Sequence, residues 1–142
     1  NTLCISGKEQ HLDVGLFQLK DRGSARIVLC EPTRFIGEHS GFGATHRREV
    51  TLHNESIEGF DHCSVCPHQI SFHFAPGWQG RQIAPNVTEW AYGSLKVLIS
   101  ANQGQMRIID SEISFGYGVK EPALALILDT QGPQTRWMIS FR

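Results

Sequence analysis

The 142 residues carry 13 Lys+Arg against 14 Asp+Glu, giving a formal net charge of −1, and are 40% hydrophobic and 19% charged. That apolar share excludes a disordered chain, and the balanced charge excludes a protein living on phosphate contacts, so no nucleic-acid partner is expected. The length predicts one domain over 1–142, and the longest apolar run, 123–128, is far short of a bilayer-spanning helix.

In chain order, the apolar residues recur with period two rather than 3.6. Within 12–19 the apolar phase slips between Leu16 and Phe17, which predicts a strand with a bulge near Gly15. The run 25–30 is apolar on both faces and predicts a central strand, entered through a tight connection at Asp21-Arg-Gly-Ser24. A long Gly- and His-rich connection is expected over 31–46, ending in the cationic triplet His46-Arg47-Arg48 at the start of a strand in which Val50 and Leu52 share a face.

Ile70, Phe72 and Phe74 then alternate with Ser71 and His73, and Pro76-Gly77 closes that strand. A second long connection is expected over 76–89. Beyond it, Leu95, Val97 and Ile99 alternate with polar residues, as do Ile113, Phe115 and Tyr117, and then Trp137, Ile139 and Phe141. Asn102-Gln-Gly104 reads as a tight hairpin, Glu121-Pro122 precedes the doubly apolar run 123–128, and Gln131-Gly-Pro-Gln134 reads as a turn. About nine strands and no amphipathic helix predict an all-β fold, an antiparallel β-sandwich of jelly-roll or immunoglobulin-like kind, with a closed barrel as the alternative.

Cys4, Cys30, Cys63 and Cys66 admit two chemistries. Paired most simply as Cys4–Cys30 and Cys63–Cys66, with the crossed pairings between these two sets also open, they are disulfides of an oxidising compartment. The alternative is a structural metal held by Cys63-Ser-Val-Cys66 with His68 and His73, but Pro67 and the adjacent histidines depart from the usual knuckle, so no metal and no cofactor are expected. Asn54-Glu-Ser56 and Asn86-Val-Thr88 fit the glycosylation acceptor pattern. With the even cysteine count, and a start lacking both Met and a leader pattern that reads as a processed chain, they predict an extracellular or secreted protein.

No nucleophile elbow, phosphate loop or His-Glu-x-x-His motif occurs, and the chain is not expected to be an enzyme. Pro76 to Tyr92 mixes rings with amides, a guanidinium and a carboxylate, which is the chemistry of sugar recognition: an apolar ring face stacks on C–H groups while planar polar groups satisfy hydroxyls. The expected binding residues are therefore Trp78, Arg81, Glu89 and Trp90, with His46 and Arg48 on the other loop. The leading expectation is a lectin-like module for carbohydrate or a glycosylated surface, able to gain avidity as a homo-oligomer. The alternative is a structural or interaction domain of a surface, capsid or filament assembly, and a hydrolase or metal-dependent enzyme ranks below both.

Overall fold

A computed structural model describes residues 3–5, 11–15, 18–21, 23–116 and 118–142, with the backbone alone described for 11–15 and 18–21. The described residues form strands and no helix. In order these are β1 (Leu3–Cys4), β2 (His11–Gly15), β3 (Gln18–Asp21), β4 (Ala25–Glu31), β5 (Arg34–His39), β6 (His46–Leu52), β7 (Ser56–Cys63), β8 (His68–His73), β9 (Gln79–Ala84), β10 (Val87–Tyr92), β11 (Leu95–Ala101), β12 (Gln105–Gly116), β13 (Val119–Thr130) and β14 (Gln134–Phe141). Four strands form a sheet in the order β1-β8-β13-β12, eight form a second in the order β4-β5-β6-β7-β14-β11-β10-β9, and β2 pairs with β3. All pairings are antiparallel.

The expected sandwich is present. Period-two alternation sends Ile70, Phe72, Leu126, Leu128 and Met106 of the four-stranded sheet against Trp90, Val97, Ile99, Ala101 and Trp137 of the eight-stranded one. Phe74 stacks on Trp90 with centroids 3.7 Å apart and planes 9° from parallel, and Phe72 meets Trp137 edge-on at 5.0 Å. Each such ring buried contributes roughly 1.5–3 kcal/mol relative to exposure.

Two large indoles fit because each crosses a strand neighbour that lacks a side chain. Trp137 is paired with Gly59 and Trp90 with Gly80, and a Cβ on either glycine would collide with the ring beside it.

The sheets differ in width, and this positions the site. The main core draws its eight-stranded-sheet members from β10, β11 and β14, while β1 closes a second small core of Leu3, Ile5, Phe42 and Cys63 near the end of β7. Beyond β1 nothing among the described residues covers the inner face of β4 and β5: Ile27 is 67% exposed and Phe35 39%.

The structure corrects several expectations. Fourteen strands are described rather than about nine: the two presumed long connections contain β5, β9 and the start of β10, the expected set lacks β1 and β7, and the run 12–19 is divided in two. The run 12–19 is two strands of a hairpin, with the register shift between Asp13 and Gly15; Leu16 and Phe17 lie outside the described residues, as do Arg22 and Tyr117. The doubly apolar run 25–30 belongs to β4, an edge strand, whereas 123–128 does lie in a central strand and is buried over 125–128. Asn102-Gln-Gly104 joins strands of different sheets, so it is a crossover and not a hairpin, while the 131–134 turn does connect the last two strands, likewise from one sheet to the other.

Replacing Gly59 with Ala should destabilise the fold by roughly 2–3 kcal/mol, since the new methyl group overlaps the Trp137 indole inside a packed core. Gly116→Ala, where a Cβ meets open space, should stay within about 0.5 kcal/mol of the parent. Urea unfolding of the two variants measures both.

Candidate functional site

The register of β4 through β7 builds a groove on the uncovered inner face. Ile27 pairs with Gly37, Gly37 with Arg48, and Arg48 with Asp61; one step along, Ala25 pairs with His39 and His39 with His46. Directly paired residues share a face, so these side chains form one surface. Ile27, Phe35, Gly37, His39, His46 and Arg48 line a cavity of about 370 Å³, in which the Phe35 ring lies across Gly37, where a Cβ would collide with it. A smaller polar cavity of about 210 Å³ adjoins it, lined by Ser24, Arg26, Glu38, His39, Ser40 and Thr45. His39 borders both.

Asp61 anchors the groove from behind. It is fully buried and accepts four hydrogen bonds: from His46 Nε2 at 2.6 Å and Arg48 Nε at 2.7 Å on Oδ1, and from Arg48 Nη2 at 3.1 Å and Trp137 Nε1 at 2.7 Å on Oδ2. Burial would raise its pKa. The hydrogen bond from His46, the charge and hydrogen bonds of Arg48 and the Trp137 N–H outweigh burial and hold it below the ordinary carboxylate value. A carboxylate acting purely as acceptor fixes the tautomers in front of it. His46 carries its proton on Nε2, its Nδ1 sits 3.1 Å from His39 Nε2, and the Gly41 N–H donates to His39 Nδ1 at 3.4 Å. Burial, then the charges of His46 and Arg48, push the His39 pKa down.

On the opposite face of these strands Arg26, Glu38, Arg47, Glu49 and Arg34 run as a chain of surface ion pairs, with N–O distances of 2.7–3.1 Å. The Arg26 and Arg47 bonds lower the Glu38 pKa, and the Arg34 and Arg47 bonds outweigh partial desolvation to lower that of Glu49.

Of the expected binding residues, His46 and Arg48 come together here, joined by His39. The other four lie at the far end of the large sheet and form no site with them. Trp90 is fully buried core, and Trp78 anchors its loop against Phe74 at 5.5 Å and Tyr92 at 5.7 Å. Arg81 and Glu89 are a cross-strand pair bonded to each other at 2.8 Å. Sequence reasoning missed Asp61. The available signal was its position, an acid sharing the inward phase of β7 with Ile57, Gly59 and Cys63.

The cysteines depart from expectation. All four thiols are free. Cys4 lies on β1 in one sheet and Cys30 on β4 at the edge of the other, and the Cys66 sulfur contacts the Cys63 carbonyl at 3.9 Å while the Cys63 side chain is committed to the small core. His68 turns inward with Nδ1 on the Val65 carbonyl, whereas His73 is exposed beside Ser111, so the two imidazoles do not converge. Among the described residues no cluster of three His, Cys, Asp or Glu is arranged to hold a metal. Asn54 is exposed in the β6–β7 turn, while Asn86 uses its amide nitrogen, the atom a glycan would occupy, to bond the Ala101 carbonyl at 2.6 Å.

Because the folded pKa of Asp61 is depressed, the unfolded chain takes up this proton first as the medium is acidified. The stabilisation is present above the unfolded value of about 4 and is lost as pH falls toward the folded one. Urea midpoints should therefore drop below about pH 4. Asp61→Ala, which strands His46, Arg48 and Trp137 without their acceptor, should cost about 3–5 kcal/mol at neutral pH and remove this part of the acid dependence.

Comparison with known proteins places the chain. The model of the family "Heparinase II/III-like, C-terminal" matches residues 1–139. No curated protein matches the sequence. Among solved structures, the chain resembles the heparan sulfate lyase HepC from Pedobacter heparinus at 10% identity and a TM-score of 0.72, over 82% of this chain and 21% of that one. It also resembles a heparinase III gene product at 11% identity and a TM-score of 0.69, over 83% of this chain and 21% of that one. It therefore spans about a fifth of the length of either, and at such identities the likeness is one of fold. With the family model covering nearly the whole sequence, the chain belongs to the heparinase II/III-like C-terminal family.

Proposed function

We propose that this chain is the carbohydrate-contacting β-sandwich of a polysaccharide-processing protein, and that it holds an acidic glycan in the groove of β4, β5 and β6. The observation that carries the reading is the composition of that uncovered face. Phe35 and Ile27 offer apolar surface for the C–H faces of sugar rings, while the Arg48 guanidinium and the His39 and His46 imidazoles stand beside them. The resemblance to a heparan sulfate lyase supplies the glycan class, a polymer of sulfated and carboxylated sugars.

The module binds rather than reacts. Both ring nitrogens of His46 and both of His39 already have hydrogen-bond partners, and Arg48 is committed in bidentate fashion to Asp61. Such a network keeps donors and rings in place but leaves no poised base at neutral pH. A glycan polymer of this kind is met outside the cytosol, which is the compartment we propose.

Calorimetric titration with a heparan sulfate oligosaccharide tests the assignment. Phe35→Ala should weaken binding about fivefold, close to 1 kcal/mol, because it removes an exposed stacking face without opening the core. Trp78→Ala, at the other end of the sheet, should leave the affinity unchanged. Equal affinities for the parent and Phe35→Ala, or loss of binding with Trp78→Ala alone, would move the site away from this groove.

A further inference from the structure

The imidazole chain at the rim of the groove is directional, and its outermost link is its weakest. Asp61 can only accept, so His46 Nε2 donates to it, and with both rings neutral His39 Nε2 donates to His46 Nδ1. A further proton on His46 Nδ1, with Nε2 still donating to Asp61, would charge the pair and reverse the bond between the rings. The His39 proton would then sit on Nδ1, where it would face the Gly41 N–H, donor against donor. The Gly41 amide thus selects the neutral chain, yet it holds His39 Nδ1 at only 3.4 Å. A proton added to the pair goes to that atom with the loss of this one long bond, and the 2.6 Å bond from His46 to Asp61 is untouched.

We propose that the polar cavity beside His39 is an oxyanion subsite that fills together with a proton on His39 Nδ1, so that binding of anionic sugars in the adjoining groove is coupled to proton uptake. This rests on the carbohydrate reading above and adds to it the location of the charged group and its dependence on pH.

The titratable groups on the strands around His39 are Arg26 on β4, Glu38 on β5, His46, Arg47 and Arg48 on β6, and Asp61 and His62 on β7, and of these His46 and Arg48 act on it electrostatically; the 40–45 loop contains no titratable residue. Arg48 is matched by Asp61, and Arg26 and Arg47 share Glu38, Arg47 also bonding Glu49. Among the described residues a proton on His39 therefore has no anion of its own, and burial beside His46 and Arg48 disfavours it. A sulfate or carboxylate in the small cavity supplies the missing charge. The hydroxyl-bearing residues Ser24, Ser40 and Thr45 line that cavity, and the side chain of Arg26, 76% exposed, can turn from Glu38 to the ligand at little cost. Linkage makes the coupling reciprocal: the anion raises the pKa of His39, and acid raises the affinity for the anion.

Sulfates and uronates stay ionised well above pH 5, so any affinity gain on mild acidification originates in the protein. Titrations with a heparan sulfate oligosaccharide, a fully desulfated uronate-containing oligosaccharide and inorganic sulfate, between about pH 7.5 and about pH 5.5, separate the two anion sources. The heparan oligosaccharide should bind about tenfold more tightly at the acid end, and the His39 ring resonances should titrate at a higher pH when it is bound. His39→Gln, which keeps an amide donor for His46, should bind with an affinity independent of pH. If the desulfated chain shows the same gain, the group seated is the carboxylate; if only the sulfated chain and free sulfate do, it is the sulfate. Binding that is sensitive to Phe35→Ala but flat with pH, a slope that survives His39→Gln, or a His39 titration unmoved by ligand would overturn the coupling and leave the groove standing. No binding at any pH would overturn both.

Discussion

A carboxylate with no access to water organises this end of the molecule. Asp61 survives ionised because four hydrogen bonds from three side chains saturate its two oxygens. Those donors come from β6 and β14, the strands on either side of β7, so satisfying one charge ties three strands together. A buried ion pair of this kind adds little net stability, because desolvation offsets most of the Coulomb gain. What it contributes is orientation. It sets the plane of the Arg48 guanidinium, the edge of the Trp137 indole and the tautomer of His46, and through His46 it sets His39. The Gly59 backbone belongs to the same constraint, since the indole reaches Asp61 by passing over a residue with no side chain.

The large sheet divides its work along its width. At the β9–β11 end the aromatic residues face one another: Trp90, Phe74, Trp78 and Tyr92 make a continuous series of ring contacts, stacked between Phe74 and Trp90 and tilted beyond. At the β4–β6 end the same alternation of side chains continues, but the small sheet has stopped at β1. Residues that would be core under a second layer become the floor of a groove. Composition at the two ends is accordingly different. The covered end is apolar with one pair, Arg81 and Glu89, on the partly exposed side, and the uncovered end mixes Ile27 and Phe35 with imidazole and guanidinium.

That difference explains what could be read from the sequence and what could not. Period-two patterns in Ile70-Phe72-Phe74, Val97-Ile99 and Trp137-Ile139 fixed the strand character and the inward face, because alternation is a local property. Width is not local. An apolar edge strand facing an open groove and an apolar strand at the centre of a sheet have the same sequence, so the run 25–30 was indistinguishable from 123–128. Tight turns were equally ambiguous: Asn102-Gln-Gly104 marks a reversal, but whether the chain rejoins its own sheet or crosses to the other is decided by the core. His46 and Arg48 were legible as a cationic pair. Their partner was not, because pairing with Asp61 depends on the β6–β7 register, which sequence spacing does not give. The aromatic loop shows a related point: Trp78 and Trp90 carry sugar-binding chemistry, and the fold packs Trp90 into the core and sets Trp78 against Phe74 and Tyr92. Cysteine number suggested cross-links, whereas all four thiols are free in the fold.

The same geometry separates what is fixed in the groove from what can change. Everything behind His46 is locked by short bonds to a charge that has no other way to be solvated, so acid strong enough to disturb it also threatens the fold. In front of His46 the bonds lengthen, from 2.6 Å at Asp61 to 3.1 Å between the rings and 3.4 Å at Gly41. Hydrogen-bond strength falls along that series. The rim can therefore alter its protonation while the floor keeps its shape, because each outward step is held by less than the one behind it. The direction follows from the burial of Asp61, a charged group that cannot exchange its partners for water.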